Sequence, residues 1–172
     1  MPTSNARRIS PATPRVVWQR PIPPAIRAMC PFPRYDYADL VVASTSPEAE
    51  RSPDEWIAAG LAGISPRWRR MIPLVQRSVL GLRLHLRPSP EHLLGWKIAE
   101  RRDDLVRIEA GGWLIAANVI LKADPERPSF ATFVRYNHAL AKFIWPPVSL
   151  LHRRVALALV RAAVTPTAAD RA

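Results

Sequence analysis

His152 is the residue of this chain best suited to chemistry. It lies in FIWPPVSLLHRRVALALVRAAV, residues 143–164, which opens near two prolines and continues with the spacing of an amphipathic helix. Histidine changes its charge near neutral pH more readily than other side chains, so it can act as an acid, a base or a ligand anchor. The plainer interpretation, which the sequence favours, is a histidine at the helix edge bonded to a carbonyl group or to water.

Several large side chains with one polar atom could line a binding site together with His152. Such residues, with a few placed polar groups, are typical of cavities for hydrophobic ligands, although the sequence favours ordinary core or sheet-surface packing for them. Asn118 interrupts the apolar run WLIAANVILK. Both sets of alternate residues in that run are apolar, so the sequence does not decide which set faces inward or whether Asn118 faces a cavity. The candidate ligand-binding residues are His152, Trp113, Trp96, Tyr136, Trp145, Asn118 and Thr132.

Motifs for catalysis and metal binding are missing from the sequence. It has no GxSxG, Walker A, GxGxxG or HExxH motif. His85 and His92 stand seven apart across prolines, which is poor spacing for metal ligands, and the single cysteine, Cys30, has no CxxC partner. We therefore predict no catalytic residue, metal site or cofactor. A cyclase-like or hydrolase-like activity using His152 stays open as a variant.

Charge and proline content set the first 34 residues apart. The chain has 172 residues, a formal net charge of +11 and 48% hydrophobic residues, which suits one domain with a substantial core. Residues 1–34 hold eight of the 19 prolines and six arginines, and no acidic residue occurs before Asp36. Because proline lacks an amide hydrogen and fixes φ, we predict a disordered or extended arm at residues 1–34.

The remaining residues predict an α+β fold. Residues 35–44 have the composition of a strand. Ser52 and Glu55 form a capping box for a first short helix, Ser65 begins a second, and Pro73 should kink or split that second helix. The period then changes to that of strands, with a hairpin turn at residues 103–104 and two further strands before the final helix, whose first turn should hold Pro146 or Pro147.

Consecutive strands with short turns form an antiparallel sheet, and one face of such a sheet must be covered. The final helix carries a suitable apolar stripe at Val148, Leu151, Val155, Leu159 and Ala162. We predict a curved antiparallel sheet wrapped round a long C-terminal helix, with two short helices after the first strand. This domain should cover residues 35–164, followed by a disordered tail at residues 165–172.

The order of elements and three phrases resemble the START-like (SRPBCC, polyketide cyclase-like) helix-grip superfamily. The phrases are SPDEWIAA with SPRWRRMIPLVQRSVLGL, GWKIAERRDDLVRIEAGG, and ATFVRYNHALAKFIWPPVSLLHRR. The chain looks closest to a bacterial group within it that carries a domain-of-unknown-function label. The resemblance implies an apolar cavity between sheet and helix. Members bind lipids, sterols, polyketides, plant hormones or other hydrophobic molecules, and a few are cyclases or hydrolases.

Two functions follow as expectations. The first is the binding of a hydrophobic small molecule, such as a lipid or polyketide, between the sheet and the C-terminal helix. The second is electrostatic binding of nucleic acid or an anionic membrane surface through the basic arm. Nucleic acid is disfavoured, because the arginines of the arm are sparse and only Trp18 and Phe32 could stack on bases. The sequence further predicts a cytoplasmic setting and no transmembrane segment, and leaves the oligomeric state undetermined.

Overall fold

A seven-stranded antiparallel sheet and a long C-terminal helix make up the centre of the fold. The computed structural model describes residues 15–44 and 51–165. Its strands are β1 (Arg15–Trp18), β2 (Tyr37–Ser44), β3 (His92–Leu93), β4 (Trp96–Arg102), β5 (Leu105–Gly111), β6 (Ile115–Lys122) and β7 (Ser129–Tyr136). Its helices are α1 (Pro24–Ala28), α2 (Pro53–Ala62), α3 (Pro66–Leu74) and α4 (Ala141–Val164). The predicted fold class is confirmed.

The strands lie in the order β1-β2-β7-β6-β5-β4-β3. Strands β4 to β7 form a meander, and the Asp103-Asp104 turn joins β4 to β5 as the sequence predicts. The chain leaves β2 through α2 and α3 and re-enters the sheet at its far edge. These helices therefore cross the same face of the sheet as α4.

The N-terminal segment corrects the predicted arm for residues 15–34, while residues 1–14 lie outside the described residues. Val16 of β1 pairs with Ala43 of β2, so this segment adds an edge strand to the sheet. Prolines before and after β1 limit its length but do not prevent a four-residue edge strand, because an edge strand needs hydrogen bonds on one side only. The sheet thus gains β1, and the two-residue β3, beyond the five strands that the sequence indicates.

The outer face of the sheet, opposite α4, is covered by α1 and its flanking residues. Ile26 of α1 packs with Leu40, Ile120 and Phe133, and Tyr35 meets the Phe133 ring edge-on with centroids 5.1 Å apart. The sheet is therefore buried on both faces at its centre, which explains why β6 is apolar on both phases. Burial in this layer raises the pKa of the Cys30 thiol, which keeps the thiol protonated at neutral pH.

The helices on the inner face follow the sequence signals in part. The capping box of α2 is present, with Ser52 and Glu55 bonded reciprocally, whereas the Ser65 side chain makes no cap hydrogen bond to α3. Two residues after Pro73, α3 changes to a π-helical turn (Val75–Val79), as expected of a helix that loses a backbone donor at the proline. Gly60 and Gly63 let α2 pack closely on α4, since a Cβ at Gly63 would overlap that of Ala162.

Helix α4 begins at Ala141, so neither Pro146 nor Pro147 lies in its first turn as the sequence predicts. The two prolines lie in its second turn, where they leave the carbonyl groups of Lys142 and Phe143 without helical donors. Both residues are exposed, so water can satisfy these groups. By length and composition alone, α4 could cross a membrane. Core helices pass the same test, and α4 packs on the sheet and on α2.

Candidate functional site: an apolar cavity under α4

A cavity of about 530 Å³ lies between the inner face of the sheet and the helices. Alternate residues of the strands form its floor, because successive side chains of a strand point to opposite faces. The floor residues are Val106 and Ile108 of β5, Ile115, Ala117, Val119 and Leu121 of β6, and Phe130 and Thr132 of β7. Its volume lies in the range of small-molecule sites in proteins.

Helix α4 forms one wall of the cavity. Val148, Leu151, Val155 and Leu159, four residues of the predicted stripe, all line it. His152 lies in the same wall, one residue along from Leu151. The stripe therefore faces a space lined by apolar side chains instead of being fully packed against the sheet.

Helix α3 and the π-helical turn form the opposite wall. The indole nitrogen of Trp96 donates to Oε1 of Gln76 across 3.3 Å, which ties this wall to the start of β4. Four residues that line the cavity are also exposed to solvent: Arg69, Met71, Pro73 and Leu94. The mouth of the cavity therefore lies between α3 and the β3–β4 turn.

One end of the cavity is polar. Thr132 lies directly opposite Asp39 in the β2–β7 register, and His152 reaches the same carboxylate from α4. The ring of Trp145 lies 5.9 Å from that of His152, measured between centroids. We call Asp39, Thr132, Trp145 and His152 the polar end.

Two hydrogen-bonding atoms of the polar end have no partner within the described residues. They are the hydroxyl oxygen of Thr132 and the indole nitrogen of Trp145, and both are buried. A buried polar atom without a partner costs about 1–3 kcal/mol, so such atoms are uncommon unless something else satisfies them. The indole N–H can only donate and the hydroxyl can donate, so each of the two atoms calls for a hydrogen-bond acceptor.

Asp39 and His152 belong to a partly buried hydrogen-bond chain. Nε2 of His152 lies 3.2 Å from Oδ2 of Asp39, and the hydroxyl of Tyr37 donates to the same carboxylate. Nε of Arg153 donates in turn to the Tyr37 oxygen across 3.0 Å. The guanidinium of Arg153 also lies over the ring of Trp18 in β1, so the edge strand helps to hold this chain.

The phenol of Tyr37 acts as a donor in this chain. Burial, followed by the hydrogen bond and the negative charge of Asp39, raises the pKa of Tyr37 well above its ordinary value. Tyr37 therefore stays protonated and keeps donating to Asp39. Its ring also meets that of Trp145 edge-on, with centroids 5.1 Å apart, which fixes one side of the polar end.

The structure brings four of the seven sequence-predicted ligand residues to the cavity and leaves three outside it. Trp96, Thr132, Trp145 and His152 line the cavity. The other three do not line it: Asn118 is buried on the opposite face of β6, Tyr136 lies past the end of the floor on β7, and Trp113 is 55% exposed and packs over Gly81 and His138.

Sequence analysis missed Tyr37, Asp39 and Arg153 as parts of this site. A signal was present, because Tyr37 and Asp39 alternate along an otherwise apolar strand and so share its inner face. An acid inside a buried strand needs a partner, but the partner, His152, is 113 residues away in the sequence.

His85 and His92 are closer together than their spacing indicates. Their rings stack with centroids 4.3 Å apart. Within the described ranges, however, no group of three or more potential metal ligands comes together, there or elsewhere.

Comparison of the chain with protein-family models, curated proteins and solved structures gives no significant match.

Proposed function

We propose that this chain binds an apolar small molecule with a hydrogen-bond acceptor at one end, such as a lipid or a polyketide. The main support for this proposal is a pair of buried polar atoms without hydrogen-bond partners, on Thr132 and Trp145, two residues that line an otherwise apolar cavity. A ligand carbonyl, carboxylate or hydroxyl oxygen would lie at the polar end, and its apolar body would lie along β6 and the α4 stripe. Ligand binding alone, with no catalysed reaction, is enough to account for an apolar cavity with one polar end.

The fold supports the same proposal at a coarser level. A curved antiparallel sheet with a C-terminal helix packed on it is compatible with a helix-grip fold. We further propose that the chain belongs to the START-like superfamily, whose members hold hydrophobic ligands between the sheet and the C-terminal helix.

A fluorescence titration with N-phenyl-naphthylamine tests this function. The probe is uncharged, and its emission rises in apolar surroundings. We expect saturable binding with energy transfer from the four tryptophans that line the cavity, Trp56, Trp68, Trp96 and Trp145. Binding should be weaker in Ala117→Leu, which narrows the cavity floor. Ala131→Leu, on the outer face, is the control. Equal binding by both variants would place the probe elsewhere and overturn the proposal.

A second candidate is acid–base chemistry on the bound molecule. Its specific support is the Asp39–His152 pair, because a carboxylate bonded to one ring nitrogen fixes the imidazole and leaves the other nitrogen for a ligand proton. Incubation of the full chain with its recovered ligand, followed by mass analysis, tests this candidate. A mass change that His152→Gln abolishes would support it, and an unchanged ligand would exclude it.

A further inference from the structure

A run of unpaired arginines lies beside the mouth of the cavity. Residues 56–90 contain six arginines and no acidic residue. All six are exposed, and none forms an ion pair with a carboxylate in the part of the chain that the structure describes. They are Arg67, Arg69, Arg70, Arg77, Arg83 and Arg87.

Arginines on the sheet are arranged differently. Arg101 pairs with Asp54 at 3.2 Å, and Arg107 pairs with Glu100 at 3.2 Å. The positive charge of the sheet surface is thus largely balanced by neighbouring acids, whereas the charge around α3 is not. Single exposed arginines without an ion pair occur elsewhere on the described surface, such as Arg135 of β7 and Arg154 of α4, but around α3 six of them follow one another with no acidic residue between.

Large apolar side chains are exposed among these arginines. Leu74 is 62% exposed and Leu86 is 69% exposed, and both line a surface groove of about 700 Å³ together with Arg77 and Arg83. Further exposed apolar residues in this region are Met71, Val79 and Leu94. We call these five apolar residues and the six arginines the α3 surface.

The α3 surface adjoins the cavity mouth. Pro73 and Leu82 line both the surface groove and the cavity, while Met71 and Leu94 are exposed and also line the cavity. Whatever covers the α3 surface would therefore also cover the opening of the cavity.

Exposed leucines interspersed with unpaired arginines fit an anionic lipid surface best. Apolar side chains can enter the acyl boundary while guanidinium groups meet lipid phosphates, and each basic residue near the membrane strengthens binding about fivefold. Nucleic acid fits less well, since single strands stack on aromatic rings and the exposed residues here are aliphatic. A second copy would place like charges against each other across a two-fold axis.

We propose that the α3 surface docks on bilayers that contain anionic phospholipids, with the cavity mouth toward the membrane. The docking does not depend on whether the cavity holds a ligand. It also places the membrane contact on folded residues 67–94, and not on the arm at residues 1–34.

Co-sedimentation of the full chain with vesicles tests this docking. Vesicles of phosphatidylcholine alone are compared with vesicles that also contain phosphatidylglycerol, at low and at high salt. We expect binding to the anionic vesicles only, weakened by salt because the surface charges are exposed. Arg77→Glu with Arg83→Glu should weaken binding at least about tenfold.

Two matched controls accompany these variants. Arg154→Glu with Arg161→Glu makes the same charge change on exposed positions of α4, and should bind far better than the α3-surface variant. Leu150 is 62% exposed, as Leu74 is, so Leu150→Ser is the control for Leu74→Ser. Of these two leucine variants, only Leu74→Ser should weaken vesicle binding. Thermal unfolding should show that all the variants fold.

Several outcomes would overturn the proposal. They are equal binding to neutral vesicles, equal losses in the α4 controls, loss of binding on deletion of residues 1–14, or a preference for duplex DNA over vesicles. Self-association that Arg77→Glu with Arg83→Glu abolishes would assign the surface to a second copy instead. Ala117→Leu should bind vesicles as the parent chain does, because the substitution lies inside the cavity. The membrane-docking proposal and the ligand-binding proposal can therefore fail independently of each other.

Discussion

Nε2 of His152 lies 3.2 Å from a carboxylate oxygen of Asp39, and the Asp39 side chain is only 1% exposed. This pair joins α4 to β2 at the polar end of the cavity. It gives His152 a structural role, holding a buried acid, in addition to any role toward a ligand. The two interpretations that the sequence left open for His152 are therefore not exclusive.

His152→Ala should lower both stability and ligand affinity, because it leaves the buried carboxylate with one partner fewer. Loss of a buried hydrogen-bond partner costs about 1–3 kcal/mol. His152→Gln keeps an amide donor for Asp39 and should recover most of that stability without recovering affinity. Urea unfolding and probe titration of both variants separate the effects. Full affinity in His152→Gln would remove the imidazole from the binding site.

Thr132→Val should leave the unliganded chain at least as stable as the parent, and up to about 1 kcal/mol more stable. The reason is that the Thr132 hydroxyl is buried without a partner, and valine has nearly the same shape. Ligand affinity should fall in the same variant. Asn118→Leu is the control, since its amide is equally unpartnered but lies on the outer face of β6. A large loss of stability in Thr132→Val would mean that its hydroxyl is satisfied within the unliganded fold.

Ala117→Leu should change stability little, whereas Ala131→Leu should lower it by about 1–3 kcal/mol. Both alanines are buried in the middle of the sheet, but Ala117 faces the cavity and Ala131 faces the packed layer under α1. Chemical denaturation of the two variants therefore measures whether space exists on the inner face alone. Similar losses in both variants would indicate a filled core in place of a cavity.

Gly63→Ala should lower the free energy of unfolding by about 1–3 kcal/mol through overpacking. An added Cβ would overlap that of Ala162, so α2 would have to move away from α4. Gly111→Ala is the matched control, because its added methyl group meets nothing within 4 Å. Thermal melts of the two variants check the helix contact, and an unaffected Gly63→Ala would show that α2 is not held closely on α4.

Local signals in the sequence predicted much of this fold. The α2 capping box depends on residues three apart, and the β4–β5 hairpin depends on a two-residue turn, so both are visible in short windows. The α4 stripe was visible for the same reason, and it correctly identified one wall of the cavity.

Other features depend on contacts between distant segments. The high proline content of residues 15–34 led to the prediction of an arm in place of β1 and α1. Strand β1 is stabilised by pairing with β2, and α1 is stabilised by the packing of Ile26 on the sheet. Neither face of β6 could be chosen from sequence, because α1 covers one face while the helices enclose the other. Asp39 and His152 could not be paired, since no local rule relates β2 to α4.

Native mass spectrometry of the freshly purified full chain, before and after incubation with a total lipid extract and then under denaturing conditions, tests the central claim most directly. The account predicts a complex with one small molecule that is lost on denaturation, and a weaker complex in Thr132→Val. Only the bare mass of the chain in every spectrum would contradict the proposal that this cavity binds an apolar ligand.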